Sequence, residues 1–552
     1  MKKINIIIML LFVSIMNNSC ESLDLDGQEN PNNLALDKAD PTLLLTQTQV
    51  DFRDFFFEMS DDTRPVVRMV GQFGTYTRAA DPQEVQTQWT IAYADVLQNA
   101  KTIELISNSK SIPHHLAIAK ILKAYTMVTL VDFYGDVPYT EALQGALNLK
   151  PKVDSGDSIY DAMFTELDQA IVLLGQNAGS VPLVDLFYGT YTLPTSPTKW
   201  IRVANTLKLK MYNNLRLTRD VSAQVNALVS AGNLMQSNDD DFNFKYTTAN
   251  APTESRHPDF TGNYFAEKAF HLSNSYYNLL RADFGPSAPD PRIRMYFYRQ
   301  SRSNPAGANL PCSTNPTIPI CYVGGGYWGR DHADGTGIPN DNTSRTIIGL
   351  YPAGGKYDNG GVTGHTANNG DINAATDKGA NGAGLLNILD YSFSRFLLAE
   401  LVLTEPGVSG TAGTILTSAV TSNLAKVRAF APANQGSLAA TTVTQDATYV
   451  TKVNTDYTAL TTDSDRLNFI VKESFKAYWG NGMEGYNAYR RTGMPRWDAT
   501  KKLGMQPPVI SAGDFPRSFF YPKNALDNNT NITQKLLTVK VFWDNNPDGF
   551  IN

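Results

Sequence analysis

Three glycines in the stretch "CYVGGGYWGRDHADG" (Cys321 to Gly335), namely Gly324, Gly326 and Gly329, reproduce the G-x-G-x-x-G spacing that seats a pyrophosphate on backbone amides. That chemistry needs a strand before the glycines and a helix after them. Here the chain runs on through Gly335, Gly337 and Pro339, which break a helix, so the glycines predict a sharply turning loop and no nucleotide site. His332 stands between Asp331 and Asp334 without a third converging ligand, and reads as a hydrogen-bonded loop histidine. The other five histidines are scattered, and no cysteine pair has zinc spacing. Near the C-terminus Asp544, Asn546, Asp548 and Gly549 open like a calcium loop, but its bidentate glutamate would fall beyond Asn552. No cofactor is expected, and a structural calcium ion is left open. Neither a G-x-S-x-G elbow nor a P-loop occurs. A glycosidase's two carboxylates leave no sequence signature, so a surface-anchored hydrolase stands as the second reading.

What does recur is rings beside guanidinium, amide and carboxylate groups. Tyr76, Arg78 and Trp89 fall in "GTYTRAADPQEVQTQW", and Tyr327, Trp328, Arg330 and Asp331 in "GGGYWGRDH". Sugar rings stack their C–H faces on Tyr and Trp while their hydroxyls pair with Asp, Asn and Arg, and peptides use the same groups. These seven residues are the candidate ligand contacts. A third cluster, "YWGNGMEGYNAYRRTGMPRW", reads instead as structural, with Arg490 and Arg491 bridging helix ends to carboxylates.

Such loops need a scaffold and an address. A net charge of -6 and pI near 5.6 give no basic stripe for nucleic acid. Lys2 and Lys3 precede the apolar run Ile4 to Met16, too short to span a bilayer, which reads as a signal peptide over residues 1–19. Ser19 then Cys20 predicts a lipidated N-terminal cysteine, followed by an acidic tether over 20–41. No later run approaches about 18 consecutive apolar residues, so the membrane link is lipid alone. The other two cysteines, Cys312 and Cys321, are spaced to close a small disulfide loop in an oxidising compartment.

The fold class is mostly α. Helical periodicity marks "QTQWTIAYADVLQNAKTIELIS", "HHLAIAKILKAYTMVTLVDFY", "SIYDAMFTELDQAIVLLG" and "PTKWIRVANTLKLKMYNNLRL", then "GLLNILDYSFSRFLLAELVLT" and "LNFIVKESFKAYWGNGMEGYNAYRRTG". Gly135 and Pro138 stop the second of these. Successive helix pairs at thirty- to forty-residue intervals suggest a tetratricopeptide-like stack. A single domain is expected over 42–552: helical scaffold at 42–235 and 385–500, a loop-rich, ordered ligand region at 236–384, and a loop-rich tail at 501–552.

Five phrases together resemble the SusD/RagB surface lipoproteins of Bacteroidetes, in the branch called SusD-like type two: "AIAKILKAYTMVTLVDFYGDVPYTEAL", "WIRVANTLKLKM", "SFSRFLLAELVLT", "YNAYRRTGMP" and "VFWDNN". Glu21, Asp24 and Asp26 are similar to that group's signal for display on the cell surface. The resemblance implies four tetratricopeptide-like helix pairs with irregular segments packed on them as a shallow ligand surface. It also implies no catalysis, and a lid-like partnership with a SusC-like TonB-dependent outer-membrane barrel that receives captured oligosaccharide or peptide.

Overall fold

The computed structural model describes residues 38–265, 271–285, 288–301, 318–321, 324–335, 345–359, 378–430 and 443–551. Cys20, Cys312 and the signal peptide lie outside them. The unit running from Pro41 onward begins with α1 (Pro41–Val66), followed by α2 (Leu97–Lys110) and α3 (Pro113–Tyr134). Proline at the first position of α3 costs no hydrogen bond there. Nearly every residue from His114 to Tyr134 is buried, which is why the helix is apolar almost all round. It stops where expected: Gly135 takes φ +81° and returns its N–H to the Val131 carbonyl at 2.8 Å.

Next come α4 (Gly156–Leu174), N-capped by the Ser155 hydroxyl, then α5 (Thr195–Leu215) and α6 (Ser222–Ala231). The stack resumes with α7 (Tyr391–Thr404), α8 (Ala412–Ala429), α9 (Val443–Ala459) and α10 (Asp463–Ala477), and α11 (Gly482–Thr492) follows. α2 packs on α3, α3 on α4, α4 on α5, α5 on α7, and α7 on α8 and α10, while α1 crosses α2, α3 and α11. This is the expected helical stack, interrupted in sequence but continuous in space.

The interruption has a neck. Phe242–Lys245 pairs antiparallel with Leu385–Leu389, setting Lys245 opposite Leu385 and Phe242 opposite Leu389. The expected helix beginning at Gly384 is therefore a strand as far as Leu389. "LLNIL" is buried along its whole length, and a short apolar run of that kind does not distinguish strand from helix by periodicity. The helix expected over 467–493 likewise divides, because Gly480 takes φ +89° and the Asn481 side chain caps α11. Between the paired strands the excursion is held by rings: Trp479 stacks on Tyr276 at 5.1 Å and Tyr296 at 5.7 Å, and donates its Nε1–H to the Tyr351 carbonyl at 3.1 Å.

All five phrases that carried the family resemblance help form the buried framework. Asp132 on α3 accepts from Tyr160, from Asn487 at 2.8 Å and from the Trp543 indole at 2.9 Å. Arg490 donates to the Asp132 carbonyl at 2.6 Å and the Arg517 carbonyl at 2.7 Å, and Arg517 grips Asp544. Arg491 is paired with Glu400, as is Arg216. Arg491 thus bridges to a carboxylate as expected, whereas Arg490 bridges instead to backbone carbonyls and to Asn487 Oδ1 at 2.7 Å. Asp544 and Asp548, the carboxylates of the calcium-like opening, are occupied by Arg517 and Lys540.

Candidate ligand-binding site

The glycine-rich loop turns as expected. Gly324, Gly325 and Gly326 sit at φ +92°, +65° and +83°, a region side chains disfavour, and the turn is closed by pairing between Gly324 and Tyr327. Gly329 lies so close to the Leu272 carbonyl that a Cβ would collide with it. Asn274 fastens the loop, donating to the Cys321 carbonyl at 2.9 Å and to Asp331 at 2.8 Å, and accepting from the Gly329 amide at 2.9 Å. Asp331 also accepts from Gln506 at 2.7 Å and from the Ile320 amide at 3.0 Å. Burial pushes its carboxyl above the usual range against the pull of those donors.

This fastening turns the expected ligand groups inward. Trp328 is 1% exposed, packed on Ile318 and Cys321, and Tyr76 is 1% exposed with its hydroxyl 2.9 Å from His332 Nε2. Tyr327 lies under the Arg299 guanidinium, 4.5 Å from the ring centre. Arg330 pairs with Asp334 at 3.2 Å. Stacking on a ligand needs an open ring face, so Tyr76, Tyr327 and Trp328 are corrected from ligand contacts to packing residues, and Arg330 and Asp331 to the loop's internal clamp. His332 is the hydrogen-bonded loop histidine foreseen, and burial, then the charge of Arg68, hold its ring well below the usual histidine range. Arg78 alone of this group is exposed. Cys321 is disulfide-bonded, and its expected partner Cys312 lies outside the described residues. Among the described residues no group of three or more His, Cys, Asp or Glu side chains could hold a metal ion.

Trp89 stands elsewhere; it is 8% exposed, scarcely more open than Tyr327, and lines a hollow edged by the half-buried Tyr93. A π-helical turn, Ile91–Val96, leads into α2 and carries Tyr93. The Trp89 and Tyr93 rings lie 4.8 Å apart, and Trp89 rests edge-on against Tyr134 and Tyr521. Tyr93 donates its hydroxyl to the Pro138 carbonyl at 2.7 Å, and burial pushes its phenol well above the usual range. Two hollows meet at this ridge, of about 270 and 370 Å3, sharing Tyr93, Pro138, Ala142 and Leu143. The first adds Trp89 and Asn524, the second Tyr139 and Lys123. Leu143 holds φ +61°, unusual for a branched residue, with its carbonyl held by Lys101.

Asn524, in α12 (Lys523–Asn528), gives its Nδ2–H to Thr90 Oγ1 at 3.0 Å, which points its Oδ1 away from that partner. That oxygen is buried with no hydrogen-bond partner. The hollow offers the half-buried Tyr93 ring and the Asn524 amide along an apolar wall of Leu149, Pro151 and Ile532, groups that suit the C–H face and hydroxyls of a sugar. Of the expected contacts, only Trp89 belongs to this hollow. Tyr93, Tyr139 and Asn524 were missed, although Tyr93 follows Trp89 by one helical turn in the quoted sequence, because helical spacing reads equally as core.

Residues 31–310 match the SusD-like type two family, described as starch-binding and associating with the outer membrane, and residues 370–544 match the SusD and RagB outer-membrane lipoprotein family. A chitin-binding protein shares the fold at TM-score 0.62 and 22% identity, over 92% of this chain and 100% of that one. A SusD/RagB family protein from Bacteroides thetaiotaomicron does so at TM-score 0.66 and 18% identity, over 92% and 100%. A chitin-binding SusD homologue from Flavobacterium johnsoniae does so at 0.61 and 16%, over 92% and 99%. No curated protein sequence matches. No helix among the described residues is long and apolar enough to cross a membrane. With one matched stretch spanning more than half the chain and a second covering most of what remains, the chain belongs to the SusD/RagB family of outer-membrane lipoproteins.

Proposed function

We propose that this protein, tethered through a lipid on Cys20, captures oligosaccharide at the cell surface and delivers it to a SusC-like TonB-dependent barrel. It binds without turnover. Family membership supports the outer-membrane address and the barrel partner, and two relatives of the same fold are named as chitin-binding. The observation that carries the glycan reading is the hollow where the Tyr93 ring, with Trp89 beside it, meets the Asn524 amide along an apolar wall. Rings offer apolar surface to pyranose C–H groups, and an amide pairs with sugar hydroxyls.

Titration calorimetry of the purified chain against starch and chitin oligomers tests this. Saturable binding that weakens in Trp89→Ala is expected. Product release on prolonged incubation, abolished by replacing a single acidic residue, would establish the hydrolase instead.

A further inference from the structure

The two strands of the neck are joined to the helices by a buried cluster whose charges do not balance. Asp241 stands immediately before the strand Phe242–Lys245, and Asp390 immediately after Leu385–Leu389, at the N-cap of α7. Both turn to one cation. Lys426 of α8 lies 3.2 Å from Asp241 Oδ2 and 2.5 Å from Asp390 Oδ2. Asp241 also accepts the Tyr391 amide at 2.7 Å. Little water reaches the cluster: the Asp390 side chain is 0% exposed and that of Asp241 7%.

Among the described residues no second cation is within ion-pair distance of either carboxylate. Asp240, next in the chain, is held by Arg202 at 2.8 Å, and Arg292 is held by Asp290 at 2.6 Å. The other titratable neighbours are the phenols of Tyr125, Tyr188, Tyr296 and Tyr351, which burial pushes well above their usual range, so they stay neutral. The Asn243 amide beside Asp390 carries no charge. Two carboxylates facing one ammonium leave one negative charge unanswered in a buried place, and a single proton removes it. Burial pushes both carboxyls up against the pull of Lys426, Asp241 to about 7.

We infer that Asp241, Asp390 and Lys426 form a proton-operated latch on the neck: one shared proton holds the strands to α7 and α8, and its loss loosens the excursion from the scaffold. A carboxyl whose folded value lies above its unfolded one stabilises in its protonated form. The hold therefore strengthens as pH falls below about 7 and is lost as pH rises through it. Buried pairs of balanced charge, such as Glu400 with Arg491, fail in acid instead.

Hydrogen exchange of the full chain, expressed as protection factors so that the intrinsic effect of pH drops out, tests this. The Tyr246 amide, which bonds to the Gly384 carbonyl across the neck, and the Tyr391 amide should lose protection about tenfold between about pH 6 and about pH 8.5. The Gly135 amide at the end of α3 should not. Asp241→Asn leaves one carboxylate to one ammonium and should abolish the response. Asp390→Asn should do the same, and replaces the first variant if its thermal midpoint shows that it does not fold. Protection at both amides that is independent of pH, an equal loss at Gly135, or an undiminished response in a folded variant overturns the latch.

Discussion

Arg491 meets Glu400 in a forked pair, Nε to Oε1 at 2.6 Å and Nη2 to Oε2 at 2.8 Å, joining α11 to α7 with both side chains buried. The same guanidinium donates to Asn214 Oδ1 at 2.8 Å on α5. One side chain therefore ties together helices that lie on either side of the long excursion in sequence.

Removing that fork leaves a buried carboxylate with only Arg216 to answer it. Arg491→Ala is expected to cost about 3 kcal/mol, and Arg491→Lys somewhat less because an ammonium cannot reproduce the fork. Chemical denaturation measures it; an unchanged midpoint for the alanine variant would refute the linking role.

Acid should attack the same place. Burial alone would raise Glu400, but Arg491 and Arg216 overcome it and hold the carboxyl at about 2. Lys476 and Lys472 likewise overcome the burial of Asp283 and hold it at about 2. Folded values below the unfolded ones mean that each pair's stabilisation is complete above about pH 5 and is lost as pH falls toward 2. The thermal midpoint followed by circular dichroism should fall steeply between pH 5 and 2.5, and by less in Glu400→Gln relative to its own value at pH 7.

Trp328→Ala should behave as a core deletion, losing about 3 to 5 kcal/mol. Arg78→Ala, on the exposed side of the same neighbourhood, should shift stability by no more than about 0.5 kcal/mol. A Trp328→Ala protein as stable as the parent would mean that the ring faces solvent after all.

Asn524→Ala separates binding from folding better than any ring. Its Nδ2–H bond to Thr90 Oγ1 lies at the surface, so stability should change little, whereas oligosaccharide affinity should fall about 2- to 10-fold, the worth of one hydrogen bond. Loss of stability without loss of affinity would assign the side chain to packing through Thr90.

Gly329→Ala drives a methyl group into the Leu272 carbonyl. The loop that Asn274 fastens should then loosen, with faster amide exchange at Arg330 and Asn274, whose N–H groups bond across that junction. Unchanged protection at both amides would show that the close approach is not required.

Much of the scaffold was legible because helical periodicity and glycine stops act locally: Gly135 ends α3 through its own backbone, whatever surrounds it. "LLNIL" was misread because its strand character depends on Phe242–Lys245, about 140 residues earlier. The site was harder. Rings in "GGGYWGRDH" and rings in "QTQWTIAYAD" look alike as letters, and what separates them is Asn274 and Gln506, which draw the first set inward from far along the chain. An unpartnered oxygen on Asn524 has no sequence signature at all.

The paired strands Phe242–Lys245 and Leu385–Leu389 give the excursion its entrance and exit side by side. Such a neck behaves as a cassette boundary: residues between the strands can be lengthened, shortened or exchanged without shifting the phase of the helices on either side. Asp132, Glu400 and their partners lie outside the strands and need not change with the cassette. The neck is accordingly the place to graft a foreign loop onto this scaffold.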